Sequence, residues 1–374
     1  MFKPSLKSIW SLAGLAILSI ILYYIAQNSY SEIKVDGYEL KVEAAKHMRA
    51  CMNVLKEETL RRGYEIDEIN DPNKTGLIGP SGSNITTSRG VLEDKLAGLN
   101  PNYAAVMIDM LKANRVNSGD YIAVGLTAAN PGLNLALYSA IQTLKINPII
   151  ITSVGSSMFG ANRDDFTWLD MEDVLYEKNL IGFKSSAASI GGGNDTGRGL
   201  SNEGRDIITS NIKKHGVIFI NEQSLSENVD KRMRVYTRLL PEDKKYKTFV
   251  NIGGGLGNVG SSVNASLIRD GVNRKIGERT FSTEGAIMRF AKKNIPVIHV
   301  FRPRALAERY GIETEPIPMP EPGVGDAFVT VKNNLTVAII CLTILVLSII
   351  AVIIFDRHDR HFKTNIVDSG QEFL

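Results

Sequence analysis

Residues 121–162 read YIAVGLTAANPGLNLALYSAIQTLKINPIIITSVGSSMFGAN, and this stretch decides the fold. Tyr121–Leu126 is a short apolar run that ends in the polar loop Thr127–Asn134 (TAANPGLN). From Leu133 to Leu144 apolar residues recur at helical spacing, and Asn147–Val154 (NPIIITSV) is a second short run, rich in β-branched residues. A second polar loop, Ser153–Asn162 (SVGSSMFGAN), follows it. Strand, helix, strand in that order is the unit that joins parallel strands, because a hairpin cannot do so.

The alternation continues outward. Gly216–Ile220 (GVIFI), Thr248–Ile252 (TFVNI) and Ile295–Phe301 (IPVIHVF) are further strand candidates. Helices are expected over Glu39–Arg62, which stops at Gly63, over Tyr103–Ala113, and over Asp170–Asn179, with Asp170 as its N-cap. The strands are short and rich in Val and Ile, as strands covered on both faces are. The expected fold is therefore α/β, a mainly parallel sheet flanked by helices. Loops following the strands' carboxyl ends would gather along one edge, so Thr127–Asn134, Ser153–Asn162, Ser185–Gly199 (SSAASIGGGNDTGRG) and Gly253–Asn264 (GGGLGNVGSSVN) are expected to converge on one crevice. Asp71–Ser88 has turn composition, and Glu313–Gly325 (ETEPIPMPEPGVG) reads as an extended connector.

Both ends are apolar. Ile9–Ala26 is an uncharged run of 18 residues and Leu335–Phe355 one of 21, each long enough to span a bilayer. No small-residue cleavage site follows the first, which therefore reads as an anchor. Lys3 and Lys7 precede the first run, while Asp356, Arg357, His358, Arg360, His361 and Lys363 follow the second. Basic flanks resist translocation. The expected order is a cytoplasmic end (1–8), a span (9–26), an extracytoplasmic α/β domain (27–312), a Pro/Gly-rich connector (313–334), a span (335–355) and a cytoplasmic tail (356–374). Cys51 and Cys341 stand too far apart in this layout to pair. The formal charge of +3 is too small to suggest nucleic acid.

Gly255-Leu256-Gly257-Asn258-Val259-Gly260 is a literal G-x-G-x-x-G after a strand. No helix pattern is evident from Ser261 onward, and no Lys follows for a Walker loop, so no nucleotide cofactor is expected. His47, His215 and His299 lack a second ligand at helical spacing, and no metal is expected. Ser156, Ser157, Ser261 and Ser262 have no evident histidine partner and no nucleophile elbow. Backbone amides near helix starts favour carboxylate or phosphate. Candidate ligand residues are Ser153, Ser156, Ser157, Asn162, Arg163 and Asp165 in and after the second loop, Asn194, Asp195 and Arg198 in the third, and Gly255 and Gly257 in the fourth. Arg205, Arg302 and Arg304 add positive charge nearby. Arginine forks would suit a polyanion.

The blocks Gly79–Thr87 (GPSGSNITT), Val124–Asn134 (VGLTAANPGLN), Thr152–Asp170 (TSVGSSMFGANRDDFTWLD) and 191–205 (GGGNDTGRGLSNEGR) resemble the bacterial poly-gamma-glutamate system protein family, over essentially the whole chain. The resemblance implies an accessory membrane protein of polyglutamate capsule synthesis and export, with the polymer and other membrane subunits as partners. It implies no catalytic residues, and alanine at Ala128 and Ala129 stands where that pattern commonly has serine. Three functions follow as expectations: binding or guiding the polymer, hydrolysing or transferring it outside the membrane, or sensing it. The short ends leave the last without a signalling domain.

Overall fold

The computed structural model describes residues 8–277 and 283–368, with side chains described to Arg357. Lys3 and Lys7 lie outside the described residues, as do the side chains from His358 to Lys363. The chain forms two units. One comprises the two ends, up to Lys34 and from Val329, and the other spans Val35–Phe328.

In the terminal unit, helices Ile9–Gln27 and Leu335–Asp368 pack against each other. Strands Tyr30–Lys34 and Val329–Asn333 pair antiparallel, Tyr30 opposite Asn333. The ribbon thus joins the end of the first helix to the start of the last. The stretches Ile9–Gln27 and Leu335–Arg357 have mean hydropathies of 2.1 and 3.3 and are almost wholly exposed. Two exposed apolar helices of bilayer-crossing length fit a double-pass membrane protein.

The larger unit is the expected α/β fold. Its seven-stranded sheet consists of β1 (Tyr121–Thr127), β2 (Asn147–Ser153), β3 (Ala187–Ser189), β4 (Ile218–Ile220), β5 (Tyr246–Ile252), β6 (Gly271–Asn273) and β7 (Val297–Val300). The order is β4-β3-β2-β1-β5-β7-β6, parallel except for β6 at one edge. Its main helices are α1 (Tyr38–Arg61), α2 (Leu92–Gly98), α3 (Tyr103–Ala113), α4 (Pro131–Leu144), α5 (Trp168–Glu177), α6 (Asn202–Lys214), α7 (Leu225–Leu239) and α8 (Ala286–Lys292). Period-two alternation sends Ile122, Val124, Leu126, Ile150, Val250 and Ile252 into one core with α1, α3, α4 and α5. Ala123, Ile149, Ile151 and Phe249 enter a second core with α7 and α8. Burial on both faces is why these strands read as nearly continuous apolar runs.

Four local readings change. Asp170 is not the N-cap of α5: Thr167 is, with Asp170 at the third helical position completing a capping box. Ser185–Gly199 is not all loop, since β3 lies inside it. Short helices form at the glycine motif: Leu256–Val259 inside it, and Ser262–Leu267 after it, where no helix pattern was evident. The connector is strapped down rather than free: carbonyls of Glu313, Pro316, Pro320 and Glu321 accept from Asn100, Asn73, Arg49 and Asn102.

Candidate functional site

Along the sheet, β1 to β4 add in one direction, whereas β5 sits on the other side of β1. Chains leaving β1 and β5 therefore diverge to opposite faces, and a crevice opens between them. A cavity of about 500 Å³ occupies that place. Thr127 and Ser153, paired at the carboxyl ends of β1 and β2, both line it, as does Gly253 just past β5. Gly253 has φ +89°, and a Cβ there would come within 2.3 Å of the Thr127 Oγ1. Only glycine lets the β5 loop turn against β1. The N–H groups of Gly254 and Gly255 meet no protein acceptor among the described residues.

The opposite wall comes from residues 87–95, and cations Arg89, Lys95 and Arg302 line the cavity against one carboxylate, Asp94. Arg302 reaches it from the end of β7, held by its Nε donating to Asp270 Oδ2 at 2.7 Å. Phe301, Leu256, Val91 and Pro303 add apolar surface. Asp94 sits partly buried, and burial pushes its carboxyl above the ordinary value despite the nearby Lys95 and Arg304.

Lys95 is the least ordinary of these groups. Its side chain, carried on α2, is only 7% exposed. Its Nζ donates to Ala129 O at 2.6 Å and Asn130 Oδ1 at 3.2 Å, and lies 2.9 Å from Ser157 Oγ. Burial, partly offset by Asp94, pushes the amine down to about 8. The sequence signalled nothing of this, since a single Lys in an amphipathic LEDKLAG helix reads as a solvated charge.

The sequence candidates divide. Ser153, Ser157 and Gly255 line the cavity. Ser156 is fully buried behind it, donating to Ala128 O at 3.2 Å. Asn162 serves the 80s segment through Pro80 O and Thr86 Oγ1, both 2.9 Å away. Arg163 is buried, donates to Ile78 O through Nη2 and lies over the Tyr64 ring, with Nη1 left without a partner among the described residues, so it faces the fold and not the cavity. Asp165 accepts from Tyr64 and, with Asp164, Glu203 and Asp206, borders a shallow acidic groove. Asn194 has a left-handed backbone and its carbonyl accepts from Asn228. Arg198 is exposed.

Asp195 and Gly257 belong to one buried arrangement. The Asp195 carboxylate is 0% exposed and meets Arg232 Nη2 at 2.7 Å, also 0% exposed. Ser153 and Ser189 donate to Asp195 Oδ1, and both hydroxyl oxygens accept from Arg232. A Cβ on Gly257 would come within 2.3 Å of Arg232 Nε and 2.7 Å of Asp195 Oδ2. The glycine makes room for an ion pair. That pair ties the 190s loop and α7 to the sheet edge, one layer beneath the cavity.

The three histidines whose side chains are described all bond within the fold. His47 bonds Ser139 and Leu180 O, His299 bonds Asn251 and Ala265 O, and His215 bonds Asp170 and Asp173. Among the described residues no three His, Cys, Asp or Glu side chains gather to hold a metal ion. Comparison with protein-family models, with curated proteins and with solved structures finds no match for this chain.

Proposed function

We propose that the protein is a membrane-anchored receptor for a carboxylate-bearing chain, acting as an accessory subunit in poly-gamma-glutamate synthesis and export. The observation that carries this reading is the cavity at the sheet's switch point, with the guanidinium groups of Arg89 and Arg302 against one carboxylate, Asp94, and bare amides at Gly254 and Gly255. Carboxylates spaced along a polymer meet there the donors that bind them best: guanidinium groups and backbone N–H. Apolar Phe301 and Leu256 would cover methylenes between the carboxylates. The polymer's identity rests on the sequence resemblance. With the domain outside and both chain ends inside, the cavity meets the polymer as it emerges, and the apolar helices contact other membrane subunits.

Calorimetry of the full chain in detergent, titrated with defined gamma-glutamyl oligomers at low and high salt, tests this. Binding should weaken as salt rises. Arg89→Ala, which removes an exposed cation at the rim, should weaken it roughly tenfold, about 1.4 kcal/mol. Absent binding, or binding indifferent to salt and to Arg89, overturns the reading.

A further inference from the structure

We infer that Ser157 and Lys95 form a nucleophile and general-base pair that hydrolyses an amide of the acidic chain held in this cavity. The inference rests on the carboxylate-binding reading for its substrate but not for its chemistry.

Geometry comes first. Ser157 Oγ and Lys95 Nζ are 2.9 Å apart, within reach for proton transfer, and both residues line the cavity. They arrive from different elements. Ser157 follows β2, whereas Lys95 lies on α2. Gly90 makes the approach of the 87–91 segment feasible: a Cβ there would come within 2.2 Å of Met158 O and 3.3 Å of Ser157 Oγ.

The surroundings then bring the neutral amine within reach. No carboxylate lies within ion-pair distance of Nζ among the described residues, so a buried ammonium would lack the partner that usually offsets its desolvation. Ala129 and Asn130, which Nζ touches, stand at the start of the 14-residue α4, where the helix field opposes positive charge. Asp94 on the same helix favours the ammonium, but burial outweighs it. A neutral amine has two N–H bonds and one lone pair. The ammonium donates to Ala129 O, Asn130 Oδ1 and Ser157 Oγ; on losing one proton it keeps the first two partners and turns its lone pair to the Ser157 hydroxyl. Burial lowers the amine enough for that form to be populated near neutrality.

The chemistry balances with water as the co-reactant. Ser157 Oγ attacks the amide carbonyl carbon as its proton passes to Lys95 Nζ, giving a tetrahedral oxyanion and an ammonium. Lys95 returns that proton to the amide nitrogen, the C–N bond breaks, the amine leaves, and an ester joins the acyl group to Ser157. Water then attacks the ester carbonyl, passing one proton to Lys95, and the acid departs as Lys95 reprotonates Ser157 Oγ. One amide and one water yield one acid and one amine. Gly254 and Gly255 supply the backbone N–H groups in this cavity that have no protein acceptor.

The test uses the full chain in detergent. An alkyl fluorophosphonate should label Ser157, located by peptide mass spectrometry, at a rate rising with pH through a midpoint near 8. Ser157→Ala should abolish labelling, and Lys95→Arg, which keeps charge but cannot act as a base, should slow it at least about a hundredfold. Incubated gamma-glutamyl oligomers should shorten with the native chain only. Absence of labelling, labelling unchanged in Lys95→Arg, or a flat rate between pH 6 and 10 overturns the pair. The flat-rate criterion uses native protein and stands even if a variant fails to fold. Oligomer binding to Ser157→Ala without labelling or shortening by the native chain leaves the receptor reading intact and removes the enzyme. Labelling at Ser157 without oligomer binding does the reverse.

Discussion

Arg232 carries a charge no solvent reaches, and its neighbours account for that charge in full: Asp195, Ser153, Ser189 and Asn258 all accept from it. Removing one partner leaves the other buried and alone. Arg232→Met or Asp195→Ala should therefore cost roughly 3–5 kcal/mol, while the double variant should cost less than the two summed; chemical denaturation of the Val35–Phe328 unit in the intact, detergent-held chain measures both. An activity loss in Asp195→Ala would then report a shifted Ser153 and 190s loop, not a lost ligand contact. None of this was legible residue by residue. Arg232 stands in LSENVDKRMRVYTRL, where every charge reads as solvated, and Lys95 is equally inconspicuous. Whether a cation is buried is decided by which loop folds over it. Conversely, the conspicuous Arg163 is buried away from the cavity and Asp195 is consumed by the fold.

At the scale of elements, α5 and the end of α6 meet through titrating groups. Burial pushes the Asp170 carboxyl up, but hydrogen bonds from His215, Lys214 and Thr167 outweigh it and hold it well below the usual carboxylate range. Burial lowers His215, yet Asp170 and Asp173 raise it above its ordinary value. The Asp170 contribution is present above its unfolded value of 3.8 and is lost as pH falls through its depressed folded value. The His215 contribution is present below 6.5 and is lost as pH rises through its elevated folded value. Melting temperature should thus be highest between these limits and fall above 6.5, and His215→Gln should flatten that alkaline decline. The glycine motif makes the second point at this scale. Gly257→Ala pushes a Cβ into Arg232 and Asp195, which cannot yield without breaking their pair. It should lower the melting temperature as much as loss of either partner, far beyond the usual helix preference for alanine. Strand and helix types were readable from period and composition because burial on two faces leaves a plain signature. Capping at Thr167 was not, since Thr-Trp-Leu-Asp hides its box until the turn closes. β3 was missed because three residues, Ala187–Ser189, carry no period.

The molecule as a whole is a domain whose two chain ends leave through one antiparallel ribbon into two apolar helices. The apolar runs were plain in the sequence because hydrocarbon demands long uncharged stretches; the ribbon was not, because Tyr30–Lys34 and Val329–Asn333 are about 300 residues apart and no local pattern pairs them. A ribbon that brings the end of one helix beside the start of the other makes the helices antiparallel, so a chain that crossed a bilayer through both would return to its starting side. The native thiols make this easy to examine. Cys51 is buried, and burial pushes its thiol up to about 12, while Cys341 is buried within the second apolar helix. Neither should react with a membrane-impermeant maleimide. Ile69 is 91% exposed on the domain, so Ile69→Cys should label in intact cells, whereas an epitope fused after Leu374 should be reached only after permeabilisation. Labelling of both without permeabilisation would place the tail outside and leave the basic flank without its orienting role; labelling of neither would put the cavity in the cytoplasm, away from any exported chain.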